Sequence, residues 1–220
     1  MSYKETSAYF IPDQCLFGAY PTQNQIHELE EWGCNLLVDL TMPNEKRVRP
    51  YKTKVQVIKF VIPDQKSPIN IREFCALIIH LANRIRNGSK MYIHCKAGHG
   101  RSGVLVSAIL CYLYKITPEQ SFQLTSKYHA TRSVHARRPK MNEYWKSVGS
   151  PQTDEQRLFV KSLFQVYTVT PESPFNIENS WLNCMYHTFL MDTNLGPITG
   201  PNGYALQDYR DKLIENIVWF

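Results

Sequence analysis

An α/β fold with a central, mostly parallel sheet flanked by helices is what this sequence predicts, and three observations carry the prediction. Apolar runs of strand length recur: NLLVDL at 35–40, VQVIKFVI at 55–62 and MYIH at 91–94. Between them lie segments with the periodicity of a helix that buries one face. Strand and helix alternate over residues 1–165, the order that a parallel sheet with crossover helices requires.

Taken in order, residues 14–20 (QCLFGAY) form a short apolar strand closed by Pro21. Residues 22–32 read as a helix, with Ile26, Leu29 and Trp32 near one face and Gly33 to stop it. The runs at 35–40 and 55–62 have the composition of buried strands, the second closed by Pro63-Asp64. Residues 69–86 place apolar side chains at 71, 74, 75, 78, 81, 82 and 85, one face of a helix that Asn87-Gly88 ends. The strand at 91–94 runs through a Gly-rich turn into the apolar segment 104–114. Thr117, Pro118 and Gln120 supply an N-cap, a first-turn proline and a capping-box partner, so a helix starts there. Thr153 and Gln156 repeat that start ahead of Leu158, Phe159, Leu163 and Phe164.

Residues 1–165 therefore make one domain. Residues 166–220 differ: they are acidic and rich in Pro, Asn, Gly and Thr. Leu206, Tyr209, Leu213 and Ile217 fall at helical spacing near the end. The expectation is a C-terminal appendage packed back on the domain.

At 43% hydrophobic and 20% charged residues the composition is that of a soluble globular protein. No run reaches the length of a membrane span, and MSYKETSAYF resembles neither a secretory signal nor a mitochondrial presequence. A cytoplasmic location is expected, with the nucleus left open. Six cysteines show no paired or zinc-like spacing, which fits a reducing compartment and offers no metal site. Cys75 and Cys111 read as small buried hydrophobes. The net charge of +6 is uneven: residues 1–150 hold 21 Lys/Arg against 11 Asp/Glu, and residues 151–220 hold 4 against 8. A positive domain suits an anionic substrate, nucleic acid included.

The stretch at 94–103, HCKAGHGRSG, lies between a strand and a helix. In that setting the amides of residues 96–101 can turn inward as an anion nest with the helix N-terminus behind them. Gly98 and Gly100 permit the backbone angles of such a loop. Arg101 closes the ring with a planar fork suited to two phosphate oxygens. Lys96, Ala97, Gly98, His99, Gly100 and Arg101 would thus bind a tetrahedral dianion. Cys95 sits at the bottom, where the positive field favours the thiolate and in-line attack on phosphorus.

This stretch resembles the Cys-x5-Arg-Ser/Thr loop of the protein tyrosine phosphatases, in particular their dual-specificity branch. The likeness extends loosely over residues 10–165, too short for the larger tyrosine-specific domain. It implies that Ser102 hydrogen-bonds the thiolate and helps it leave, that His94 orients the loop from behind, and that Lys96 and His99 stand around the rim. It also implies a general acid, an Asp on a mobile loop about thirty residues before the cysteine. Asp64 stands 31 positions before Cys95 in the loop IPDQKSP. It would protonate the leaving oxygen and later activate water. The plainer reading of Asp64 is a cap for the helix starting near Asn70. Asp39, inside an apolar strand, is read as needing a structural partner.

Other prominent residues have plainer readings. His80 and His129 are read as helix-surface residues. The cluster HATRSVHARRPK at 129–140 holds either a second anionic group or an Arg that braces the catalytic loop, as in similar phosphatases. Lys46, Arg47, Arg49, Lys52 and Lys54 form a recognition rim or, with slight preference, a solvated loop.

The resemblance implies a phosphatase that uses no cofactor and no metal. Its expected partner is a phosphorylated protein, at Tyr and also at Ser/Thr, or alternatively an anionic phospholipid. Loops of the HCKAGxGR kind are similar to those of mitotic-exit, phosphoinositide and phosphatidylglycerophosphate phosphatases. RNA 5′-triphosphatases carry Thr-His-Gly after the cysteine and Asn before the arginine; Lys-Ala-Gly and Gly100 here place nucleic acid lower. A phospho-binding module without turnover usually loses the Cys or the Arg, and this chain keeps Cys95, Arg101, Ser102 and a candidate acid. A rhodanese-type sulfur carrier also uses a cysteine, but in a generally shorter loop and with no use for an acid like Asp64.

Overall fold

A computed structural model describes residues 1–136 and 141–164 of the chain. The expected appendage at 166–220, and residues 137–140 of the basic cluster, lie outside the described residues. The chain begins with a one-turn helix α1 (Tyr3–Thr6) and a hairpin of β1 (Ser7–Ile11) and β2 (Cys15–Gly18). Helix α2 (Gln23–Glu31), strands β3 (Leu36–Asp39) and β4 (Gln56–Lys59), and helix α3 (Ile71–Arg86) follow. Strand β5 (Met91–His94) leads to four helices: α4 (Arg101–Tyr114), α5 (Pro118–Ala130), α6 (Asn142–Val148) and α7 (Asp154–Phe164).

The sheet order is β1-β2-β5-β3-β4, parallel throughout except for β1, which is antiparallel to β2. The mostly parallel sheet is thus present. The strands read as apolar runs because both faces are covered. Leu16, Leu37 and Tyr92 pack on one face with Ile26 and Leu29 of α2. Phe17, Val38 and Ile93, their sequence neighbours, pack on the other face with α3 and α4.

Local chemistry sets the helix ends. Thr22 and Thr117 each accept from the third helical amide while Gln25 and Gln120 reciprocate, two complete capping boxes. Asn70 caps α3, and Gly88, at φ +76°, follows its end. Phe74, Ile78, Leu81 and Ile85 of α3 are buried, the stripe that the spacing predicted. Helix α4 shows no polar face because all of its residues are buried, between the sheet and α3, α5 and α7. Its hydroxyl at Ser107 meets Thr125 Oγ1 of α5 at 2.9 Å, so the polar atom is satisfied inside the core.

Three features depart from the sequence reading. Strand β1 and the short helices α1 and α6 were not expected. Strand β4 is an edge strand rather than a buried one, with Val57 43% exposed. His129, read as a surface residue, is fully buried on α5; its cover comes from other parts of the chain, described below.

Candidate active site

Parallel strands β2, β5 and β3 end in register, with Gly18 and Asp39 both opposite His94. The chain after β5 therefore emerges at the carboxyl edge of the sheet, where open α/β sheets bind ligands. Cys95 is the first residue beyond β5, and Arg101 opens α4. Six residues, Cys95 to Gly100, bridge strand and helix in a tight cup. Gly98 has φ +77°, and a Cβ there would strike the Gly18 backbone and the Arg132 guanidinium. Gly100 has an ordinary φ of −89°; its need is space, because a Cβ would meet the Gln156 amide at 2.7 Å.

Cys95 is 3% exposed, and its sulfur faces the inside of the cup. It accepts from the Gly98 amide at 3.2 Å and lies 3.6 Å from Ser102 Oγ. Among the described residues, the amides of Lys96, Ala97, His99 and Gly100 donate to no protein acceptor. Four unused donors in one short loop, with a helix N-terminus behind them, are the makings of an anion cradle.

Arg101 is 2% exposed and its terminal nitrogens are fully engaged. Nη1 and Nη2 donate to Glu45 Oε2 and Oε1 at 2.7 and 2.9 Å, a bidentate pair. Nη1 also donates to the Ile62 carbonyl at 3.3 Å, and Nη2 pairs with Asp64 Oδ1 at 2.9 Å. Burial opposes charge on both partners, yet the Glu45 hydrogen bonds and the fields of Cys95 and Asp64 raise the Arg101 pKa above its usual value. Burial likewise acts against Glu45, but its contacts with Arg101 prevail and hold its carboxyl below the usual range. Glu45 is the residue that sequence reasoning missed. Asp64 stands at this same corner on an exposed loop, its side chain 55% accessible.

Asp39 has structural partners: it accepts from Thr41 N and Thr41 Oγ1 at 2.9 and 2.7 Å and pairs with Lys59 at 3.5 Å. His94 lies behind the cup, packed by Tyr20, Tyr51 and Tyr92, with Tyr51 Oη 2.8 Å from Nε2. Burial lowers its pKa to about 4 against the pull of Asp39, so the ring is neutral at neutral pH.

Lys96 is at the rim, a third exposed, with Glu45 3.8 Å away. The His99 ring is not at the rim: it turns inward, 2.7 Å from His129 Nε2 and stacked on Trp145. Of the two readings of the 129–140 cluster, the described part fits bracing. Arg132 is buried beneath Gly98, donates to the Phe17 carbonyl at 3.1 Å and lies over the Phe17 ring. Burial pushes its pKa down to about 10. A cavity of about 1160 Å³ opens beside the cup, lined by Tyr20, Arg47, Arg49, Lys96, Ala97 and Trp145 among others.

A family model described as the Swiss Army Knife protein DSP-PTPase phosphatase domain matches residues 8–154. The chain belongs to this family. As a phosphatase-family domain it is 42% identical over 139 residues to the candidate tyrosine phosphatase 197R of Invertebrate iridescent virus 6, covering 57% of this chain and 52% of that protein. It is 32% identical over 179 residues to its counterpart 067L of Invertebrate iridescent virus 3, with 79% and 71% covered. A phosphatidylglycerophosphate phosphatase of Arabidopsis thaliana, PTPMT1, is 28% identical over 144 residues, with 63% and 40% covered. The chain thus spans about half the length of the first of these relatives. The crystal structure of Tk-PTP in its active form superposes with a TM-score of 0.54 at 22% identity, over 70% of this chain and 92% of that one. That likeness shows a shared fold.

Proposed function

We propose that this domain hydrolyses phosphomonoesters through a phosphocysteine intermediate, with phosphotyrosine and phosphoserine/threonine of proteins as substrates. The observation that carries the reading is the cup itself: a buried cysteine in a loop with four unused amides, with Arg101 and Asp64 paired at its edge. The Cys95 thiolate attacks phosphorus in line while the P–O bond to the leaving group breaks. Asp64 gives its proton to the departing oxygen. Water then attacks the phosphocysteine, Asp64 takes the proton, and the P–S bond breaks to return thiolate and inorganic phosphate. Ser102 Oγ donates to the thiolate as it leaves. His94 holds the loop from behind, and Glu45 holds the Arg101 fork flat.

A phospholipid headgroup is the second reading. It is favoured by the cavity beside the cup, where Arg47, Arg49 and Lys96 stand on an otherwise largely apolar wall, and by the name of the Arabidopsis relative. No described helix is long and apolar enough to cross a membrane; a cytoplasmic setting, which keeps thiols reduced, suits the chemistry. Catalysis is assigned to residues 1–165, so truncation after Gln165 should lower the melting temperature and leave hydrolysis of a small aryl phosphate intact. Phosphate release from a phosphotyrosine peptide and from a phosphoinositide, measured side by side with wild type and Cys95→Ser, tests the function. Faster release from the peptide, abolished in Cys95→Ser, is expected. Faster release from the lipid selects the second reading, and undiminished release in Cys95→Ser overturns both.

A further inference from the structure

Residue 99 is held from both ends. Ser150 Oγ donates to its carbonyl at 2.5 Å, while its ring nitrogen Nδ1 meets His129 Nε2 at 2.7 Å and its face stacks on Trp145 at 5.0 Å and 6°. His129 is held in turn by His135, whose Nε2 donates to the His129 carbonyl at 2.8 Å. The loop offers few other handles. Gly98 and Gly100 have no side chains and are pressed against Gly18, Arg132 and Gln156. The His99 ring is the one side chain between them.

This chain of imidazoles is costly to bury. Among the described residues, His129 Nδ1 and His135 Nδ1 have no hydrogen-bond partner, nor do Nε and Nη1 of the neighbouring Arg132. Apolar side chains of the same volume would fill the space without that cost. What they lack is direction: a hydrogen bond fixes an angle as well as a distance. Burial, then the field of Arg132, hold the His99 pKa at about 3 and push that of His129 lower still. The contact is therefore one N–H donating to one bare nitrogen between neutral rings.

We propose that His129, outside the Cys-x5-Arg stretch, is a positioning residue for the phosphate cradle. Through His99 Nδ1 it fixes residues 98–100 so that the amides of His99 and Gly100 aim at the phosphoryl oxygens. The proposal rests on the phosphatase reading of the cup. A cradle displaced by about 1 Å loses on the order of 10²-fold in rate, which sets the size of the effect.

The test compares His129→Leu, which keeps the volume, with His129→Gln, whose amide can still donate or accept. Wild type is expected to bind orthovanadate and turn over an aryl phosphate; failure of that control sinks the phosphatase reading, not this one. His129→Leu should lose roughly 10–100-fold in kcat and in vanadate affinity, and His129→Gln should recover most of both at a similar melting temperature. A folded Leu variant within twofold of wild type, or Leu and Gln variants equally impaired, overturns the proposal. Should His129→Leu fail to fold, the ring nitrogen resonances of wild type decide. His99 and His129 should show one protonated and one bare nitrogen in contact and should move when orthovanadate is added. Rings that titrate independently near pH 6.5, or that ignore orthovanadate, overturn the proposal equally.

Discussion

Asp64 and Asp39 are both aspartates at the carboxyl edge of the sheet, and their surroundings divide their work. Asp39 is buried and saturated by Thr41 and Lys59, so it has no freedom to follow a reaction. Asp64 is exposed and, among the described residues, tied only through Arg101. A group on a loop beside the phosphate clamp can reach a leaving oxygen. General acid catalysis contributes about 10²–10⁴-fold, and its value rises with the basicity of the leaving group. Asp64→Asn should therefore slow an alkyl or phenyl phosphate strongly and an activated aryl ester much less, with the basic limb of the pH–rate profile flattened. An equal, modest loss for poor and good leaving groups would remove Asp64 from the role. Legibility at this scale followed sequence distance. Cys95, Arg101 and Ser102 were readable because one short loop holds them all. Glu45 was not: its partner lies 56 residues away, and its neighbours Lys46, Arg47 and Arg49 made the segment look like a basic loop. His129 was misread for the same reason, since its cover comes from His99 and His135.

At the scale of elements, the loop between β5 and α4 depends on what surrounds it. Arg132 packs beneath it and the Gly18 backbone closes on Gly98. A left-handed φ costs a residue with a Cβ about 1–2 kcal/mol, and here the Cβ would also collide with backbone. Gly98→Ala should leave a folded protein whose vanadate affinity and kcat fall together by about 10²-fold. Unchanged vanadate binding would show that the cradle tolerates a different path. The strands at 35–40 and 91–94 and helix α3 were legible because each is an apolar pattern of the right period. Strand β1 was not, since SAYFI shows no alternation and gains its place only by pairing with β2. The run at 55–62 looked buried although among the described residues β4 has no neighbour on its outer side, a fact of topology that composition does not carry.

For the whole molecule, buried neutral histidines tie stability to pH. His94 and His99 titrate near 6.5 in the unfolded chain but at about 4 and about 3 when folded. Both folded values are depressed, so the unfolded state binds more protons between those limits. Stability is complete above pH 6.5 and is lost as pH falls from there toward 4, before ordinary carboxylates take part. At pH 5 each such ring costs about 2 kcal/mol, and a loss of 1 kcal/mol lowers Tm by roughly 2–4 °C in a protein of this size. Calorimetry at pH 7, 6 and 5 should show Tm falling at each step. A Tm constant from pH 7 to 5 would mean that these rings are solvated or charged in the folded state.

The pairing of Arg101 with Asp64 bears on the end of the catalytic cycle. On the proposed mechanism inorganic phosphate, once formed, occupies the same guanidinium edge that Asp64 grips at 2.9 Å. Once Asp64 has released the proton it took from water, its carboxylate competes with the product for Nη2 and repels it as well, so the group assigned to activate water also assists departure. The enzyme would then clear its site quickly and tolerate high phosphate. Asp64→Asn, which cannot repel an anion, should be inhibited by inorganic phosphate at lower concentrations than wild type; equal inhibition constants would mean that the product leaves unaided.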